Sequence, residues 1–230
     1  MFKKMTLLFT CFILLSVSTC LAEEKPILVC GWMGKAWVNE ILRPLDIPYE
    51  TAKSSWVEPD EWSSYSAIIF TLDSKLHKLS AEECQKVSEF VNNGGNLVFG
   101  YMAPGYLGSG AGGTLDISSL SELLGAKTYG YQAGGEFRLL DSGHPLTEHL
   151  KADQVVNWPD FGGKIRLRGI TTGQLLVGEP DKAALLVNKF GKGTVYYIFD
   201  DPRPTHPQDL RLVHKKIAFL AANRSLTELK

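Results

Sequence analysis

The chain has 230 residues, of which 44% are hydrophobic and 21% charged, with 24 Lys and Arg against 25 Asp and Glu. This is the composition of a chain that buries a core, which excludes disorder as its main state. Near-neutral charge without a like-charged run excludes a nucleic-acid surface or a charged tail, and at about 150 residues per domain the length predicts a single domain.

Lys3 and Lys4 precede an apolar run over residues 5–17, and small residues lead to Ala22 ahead of Glu23-Glu24-Lys25-Pro26. This pattern predicts a secretory signal peptide over residues 1–22, cut after Ala22. The run is shorter than the roughly 20 residues a bilayer span needs. A lipoprotein signal acylated at Cys20 is the alternative, but Thr19 suits that cleavage site poorly. The expected product is an exported protein, periplasmic or extracellular, with residues 23–230 as one domain and no transmembrane segment. Removing 22 residues leaves 208, and losing Lys3 and Lys4 takes the net charge from −1 to −3. Only Cys30 and Cys84 then remain, read as two buried thiols rather than the one disulfide that an oxidising compartment would allow. No Cys or His spacing suggests structural zinc.

Residues 26–30 read as a buried strand broken by Gly31. Helical spacing follows over 33–43, where Trp37, Ile41 and Leu42 share a face. Residues 45–50 form a turn into a second strand, and 66–71 a third of the continuously apolar, parallel-sheet kind. Ser80-Ala81-Glu82-Glu83 is a capping box; it opens a helix with the stripe Cys84, Val87, Phe90 and Val91, closed by Asn93-Gly94-Gly95. Residues 96–101 form the fourth strand. Strand–helix–strand–strand–helix–strand is the order of a doubly wound, mostly parallel α/β sheet. Beyond a glycine-rich loop (105–113) and a short helix (117–124), short extended segments are expected at 127–131, 137–140, 154–158 and 175–177. Residues 183–188 and 194–199 flank Lys189-Phe190-Gly191-Lys192-Gly193, which predicts an antiparallel C-terminal hairpin. A terminal amphipathic helix spans 207–222, with Leu210, Val213, Ile217 and Leu220 facing inward.

Three stretches carry a family resemblance: LSAEECQKVSEFVNNGGNLVFG (79–100), SGHPLTEHL (142–150) and FGKGTVYYIFDDP (190–202). In order and spacing they resemble the class I glutamine amidotransferase-like superfamily, which has a flavodoxin-like fold. More narrowly the chain is similar to its non-catalytic relatives, the β-galactosidase trimerisation-type and ThuA-like domains. Catalytic members place a Cys in the turn after the strand matching 96–101, and a His-Pro-Glu after the last strand. Such a turn exposes a thiolate that attacks an amide. Here the turn reads Gly100-Tyr101-Met102-Ala103-Pro104-Gly105, without Cys, Ser or Thr, and His206-Pro207-Gln208 stands where Glu would be expected. The resemblance therefore implies a non-catalytic module, and with it a homo-oligomer as one form of partner.

The candidate ligand-binding residues are Trp32, Tyr101, Met102, Asp200, Asp201 and His206, expected to meet beyond the carboxyl ends of the parallel strands, where ligands bind in such sheets. Exposed there, Asp201 and His206 would cost no more than about 1 kcal/mol on substitution by Ala. Trp32, Trp56 and Trp158 beside loops would suit a sugar or peptide; Trp37 and Trp62 read as core. Asp200, Asp201, His206 and His214 are metal-ligating residue types, but the two histidines are eight positions apart, two helical turns at best, and so not a compact i, i+4 pair. Ser109 lacks the small residue two before it that a nucleophile elbow needs, and the 105–113 glycines lack phosphate-loop spacing. No cofactor is expected. The expected partner is a small molecule, a sugar or a protein, with no nucleic acid. The leading reading is a ligand-binding or assembly module; the alternative is a hydrolase, metal-assisted or not, acting on a carbohydrate-like substrate through Asp200, Asp201 and His206.

Overall fold

A computed structural model of the protein describes residues 24–52, 59–71, 78–100, 103–104, 107, 117–131, 137–151, 154–156, 158 and 165–229. The predicted signal peptide, Trp56, Tyr101, Met102, Ser109 and the 108–116 stretch lie outside them. Among the described residues no helix is long and apolar enough to cross a membrane.

Five strands form the parallel part of the sheet. β1 (Ile27–Cys30), β3 (Ala67–Phe70) and β4 (Asn96–Phe99) are buried along their whole length, as strands covered on both faces must be. β2 (Tyr49–Thr51) pairs with β1 at one edge, and β11 (Gly193–Ile198) lies parallel to β4. The order β2-β1-β3-β4-β11 steps outward from β1 to β2 and the opposite way from β3 to β4. Right-handed crossovers then put the connecting helices on opposite faces, which is the doubly wound, flavodoxin-like arrangement expected. One face carries the helical segment that starts as α1 (Gly34–Trp37), continues through π and 3-10 turns, and stops where Asp46 turns left-handed. The other carries α2 (Ala81–Asn92). Its predicted capping box is formed: Ser80 Oγ accepts from Glu83 N–H, and the Glu83 carboxylate accepts from Ser80 N–H. Trp62 is fully buried beneath it, edge-on to Phe90 at 5.6 Å and tilted against Phe70 at 5.7 Å.

The predicted hairpin is β11 with β10 (Lys182–Phe190), and it opens a larger antiparallel wing. β10 continues to β9 (Gln174–Glu179), β6 (Phe137–Leu139) and β7 (Val155–Val156). β8 (Ile165–Ile170) joins β10 to β5 (Ala126–Tyr131). β8 is not among the predicted strands: its alternation covers only Ile165 to Arg168 before Gly169 ends it. α3 (Ser121–Leu124) ends at left-handed Gly125. Trp158 belongs to the core here and not to an aromatic platform: it is buried and stacks on Phe199 at 5.8 Å. Cys30 and Cys84 are both buried and free, as read from the sequence.

At the amino edge of the sheet, the hairpin turn closes against the end of α2. A Cβ on Gly193 would run into the backbone carbonyls of Gly95 and Val91. Neither carbonyl can rotate away as a side chain would, so Gly193→Ala should cost about 3 kcal/mol. Chemical denaturation would check it, and a loss below about 1 kcal/mol would show that the turn relaxes freely.

Candidate functional site

The carboxyl ends of four parallel strands finish level. Cys30 pairs with Phe70, Phe70 with Phe99, and Phe99 with Tyr197. The chain leaving each strand therefore reaches the same edge of the sheet. Gly31 and Trp32 follow β1, and Trp32 is 70% exposed. Thr71 follows β3 and is buried there, its N–H and Oγ1 both donating to the Cys30 carbonyl, at 2.9 and 3.1 Å. Gly100 follows β4, so close to Asp201 that a Cβ would overlap its Oδ1 and lie 2.9 Å from its Cγ.

Asp200, Asp201 and His206 stand on the segment between β11 and α4 (Gln208–Ala221), and all three are buried, at 2%, 1% and 5% exposure. The condition for a small stability cost is thus not met. After β11 the chain does not run out into solvent; it passes between α1, Gly100 and α4. The Asp201 carboxylate accepts from Trp37 Nε1–H at 2.8 Å, so Trp37 is both core and hydrogen-bond donor. Asp200 Oδ1 accepts from Asp201 N–H at 2.9 Å and lies 3.5 Å from Arg203 Nη2. Asp200 Oδ2 lies 3.2 Å from His206 Nε2.

His206 and His214 are not an i, i+4 helical pair, as their spacing predicts, but their rings meet. Eight helical residues would separate them by about 12 Å, yet the rings stack with centroids 5.9 Å apart. Pro207 is extended, with ψ 151°, so His206 precedes the helix and folds back over its second turn. His214 is fully buried, edge-on to Trp37 at 5.3 Å. Its Nδ1 and Nε2 each lie 2.9 Å from a backbone carbonyl, of Leu210 and Asp200 respectively. Burial pulls its pKa down to about 4, overcoming the two carbonyls that favour the charged form. The ring is therefore neutral at pH 7 and donates to one carbonyl at a time. His214 and Arg203 are not among the predicted ligand-binding residues, and the sequence offers His214 only as a metal-ligating residue type. The former is detectable in the sequence as the i+4 neighbour of Leu210 on the inward stripe.

Among the described residues no group of three His, Cys, Asp or Glu side chains has metal-binding geometry. The arrangement is a buried polar cluster at the same sheet edge as the exposed Trp32. A cavity of about 460 Å³ opens at the opposite end of the sheet, lined by Lys25, Tyr65, Lys86 and Asn93 among others. Its lysines already hold the Ser63 carbonyl and the Glu82 carboxylate, and it contains none of the predicted residues.

No family model matches the chain, nor does any curated protein. Solved structures do. The cold-adapted β-galactosidase of Rahnella sp. R3 superposes with a TM-score of 0.56 at 16% identity, over 90% of this chain and 31% of that one. A cytoplasmic protein of Salmonella typhimurium LT2 gives 0.55 at 14% identity, over 86% of this chain and 97% of its own. A ThuA-like protein from Bacteroides uniformis ATCC 8492 gives 0.54 at 12% identity, over 86% and 90%. The chain thus spans about a third of the β-galactosidase it matches and nearly all of the other two. At these identities the likeness establishes the fold.

Proposed function

We propose that the chain is an exported, non-catalytic amidotransferase-like module that binds a ligand or partner at the carboxyl edge of its parallel sheet. One observation carries this reading. At the edge where catalytic relatives would act, the aspartates are buried and accept from Trp37 and a backbone N–H, while Trp32 is left 70% exposed. An exposed indole suits the face of a sugar or a peptide side chain. The turn from Gly100 to Gly105, where catalytic relatives carry their nucleophile, holds no Cys, Ser or Thr. Cys30 is buried, with its thiol pushed up to about 12, so it carries almost no thiolate at pH 7. That the same fold makes up about a third of a β-galactosidase chain supports a modular, assembly-type role.

The test has two arms. No glutamine hydrolysis is expected; activity that vanished on Cys30→Ser or Cys84→Ser would overturn the reading. Trp32 fluorescence should respond to a panel of oligosaccharides and peptides, or the mature chain should self-associate in sedimentation. A Trp32→Ala variant should lose that response without losing stability. A monomer indifferent to every probe would count against the reading. Export predicts an intact mass that begins at Glu23; an acylated chain beginning at Cys20 would replace secretion with membrane anchoring.

One observation favours the hydrolase instead. His206 Nε2 lies 3.2 Å from Asp200 Oδ2, and neither ring nitrogen of this buried histidine has a hydrogen-bond partner among the described residues. A buried imidazole beside a carboxylate, with both ring nitrogens uncommitted, has the groups a general base needs. Cleavage of aryl glycosides, with or without added divalent metal, that was lost in His206→Gln would select this reading.

A further inference from the structure

Segment 141–150 lies against α4 at Asp209 and Lys216, and its histidines serve a different purpose. Lys216 is buried, 6% exposed, and its ammonium spends three donors on this segment. It donates to the Pro145 carbonyl at 2.7 Å and to Glu148 Oε1 at 3.1 Å, with His149 Nδ1 at 3.4 Å. An ammonium has no lone pair, so His149 Nδ1 must be the acceptor. The proton of that ring then sits on Nε2, which faces the Asp209 carbonyl at 3.3 Å, in the first turn of α4. His144 is committed in the same sense: its Nδ1 accepts from Leu146 N–H at 3.1 Å. Thr147 Oγ1 closes the turn by donating to the Asp141 carbonyl at 2.6 Å.

Both rings therefore hold the segment only while neutral. Protonated His149 would turn an N–H toward the Lys216 ammonium, losing a hydrogen bond and bringing two cations into contact. Protonated His144 would lose Leu146 N–H. We propose that segment 141–150 is an acid-released latch, pinned to α4 through Lys216 and freed when His149 and His144 take up protons. The charged groups around His149 are Lys216, Asp209 and Glu148; those around His144 are Asp141, Glu148, Lys189 and Lys216. Burial is the largest influence on each ring and holds its pKa below the ordinary value, with Lys216 adding to the effect on His149. The latch therefore stays shut at neutral pH and opens on mild acidification. It operates whether or not the sheet edge binds a ligand.

Native-state hydrogen exchange on the full chain tests it, after correction for intrinsic exchange chemistry. Between pH 7.5 and pH 5, the Leu146, Thr147, Glu148 and Leu150 amides should lose protection at least tenfold relative to the β4 amides Leu97–Phe99. His149→Gln with His144→Asn keeps an acceptor at each place and removes both titrations, so the tenfold difference should disappear. If that variant does not fold, proton NMR titration of the two rings in the unaltered protein decides: both should titrate below 6.5. Loss of protection that tracks β4, that persists in the double variant, or that accompanies ring titrations at or above 6.5 would overturn the latch.

Discussion

Replacing Asp201 with Ala is expected to destabilise the protein by about 3 kcal/mol. The substitution strands Trp37 Nε1–H in the core, where the indole is fully buried and Asp201 Oδ1 accepts its proton at 2.8 Å. A buried donor left unpaired costs about 1–3 kcal/mol, and a hydrogen bond to a charged acceptor sits at the upper end of that range. The vacated space beside Gly100 adds the cost of a cavity. Asp201→Asn retains an acceptor and should cost less, about 1 kcal/mol. Trp37→Phe removes the donor and leaves a carboxylate buried, so it should cost about as much as Asp201→Ala. In a double-mutant cycle the two large effects should fall well short of additive, since either change alone removes the same bond. Urea denaturation of the four proteins measures this. An Asp201→Ala loss within about 0.5 kcal/mol would mean the bond contributes nothing.

Acidification should destabilise the fold by about 3 kcal/mol between pH 7.5 and pH 4.0 through His214 alone. In the unfolded chain the ring titrates near 6.5, and in the folded protein burial pulls it down to about 4. A depressed histidine pKa means the unfolded state binds more protons across that window. The stabilisation is complete above about 6.5 and is lost as pH falls toward 4. Every tenfold difference in proton affinity between the folded and unfolded chain is worth about 1.4 kcal/mol, which sets the size. His144 and His149 are depressed as well and act in the same direction. Unfolding free energies at the two pH values, for the protein and for His214→Gln, check the assignment. The variant should be weaker at pH 7.5 and much less sensitive to acid. An unchanged pH slope would place the sensitivity elsewhere.

The parallel half of the fold was legible because its signals are local. Ser80 and Glu83 are three residues apart, and the continuous apolar runs of β1, β3 and β4 mark strands covered on both faces. Lys189 to Gly193 announced the hairpin by turn chemistry alone. The wing beyond β10 was legible only in part, since strands of two or three residues such as β6 and β7 carry too few positions for a period to appear. Strand β8 alternates only over Ile165 to Arg168 before Gly169 breaks the period, and it is set by pairing with β5, about 40 residues away.

The candidate site divides in the same way. Order along the chain determined that Gly31, Thr71, Gly100 and Asp201 would share the carboxyl edge, because strand direction in a doubly wound sheet leaves no other place for them. It also determined that the turn after β4 has no nucleophile, which is a matter of residue identity. Burial was decided only in three dimensions. Asp200, Asp201 and His206 follow a strand and precede a helix, a context that locally describes an exposed loop. They are buried because Trp37, 164 residues from Asp201 in sequence, supplies a donor for the carboxylate. His214 on α4 gives His206 a ring to stack on. Charged groups enter a core only when partners meet them there, and partners this distant in sequence become neighbours only when the sheet and its two helical faces have assembled.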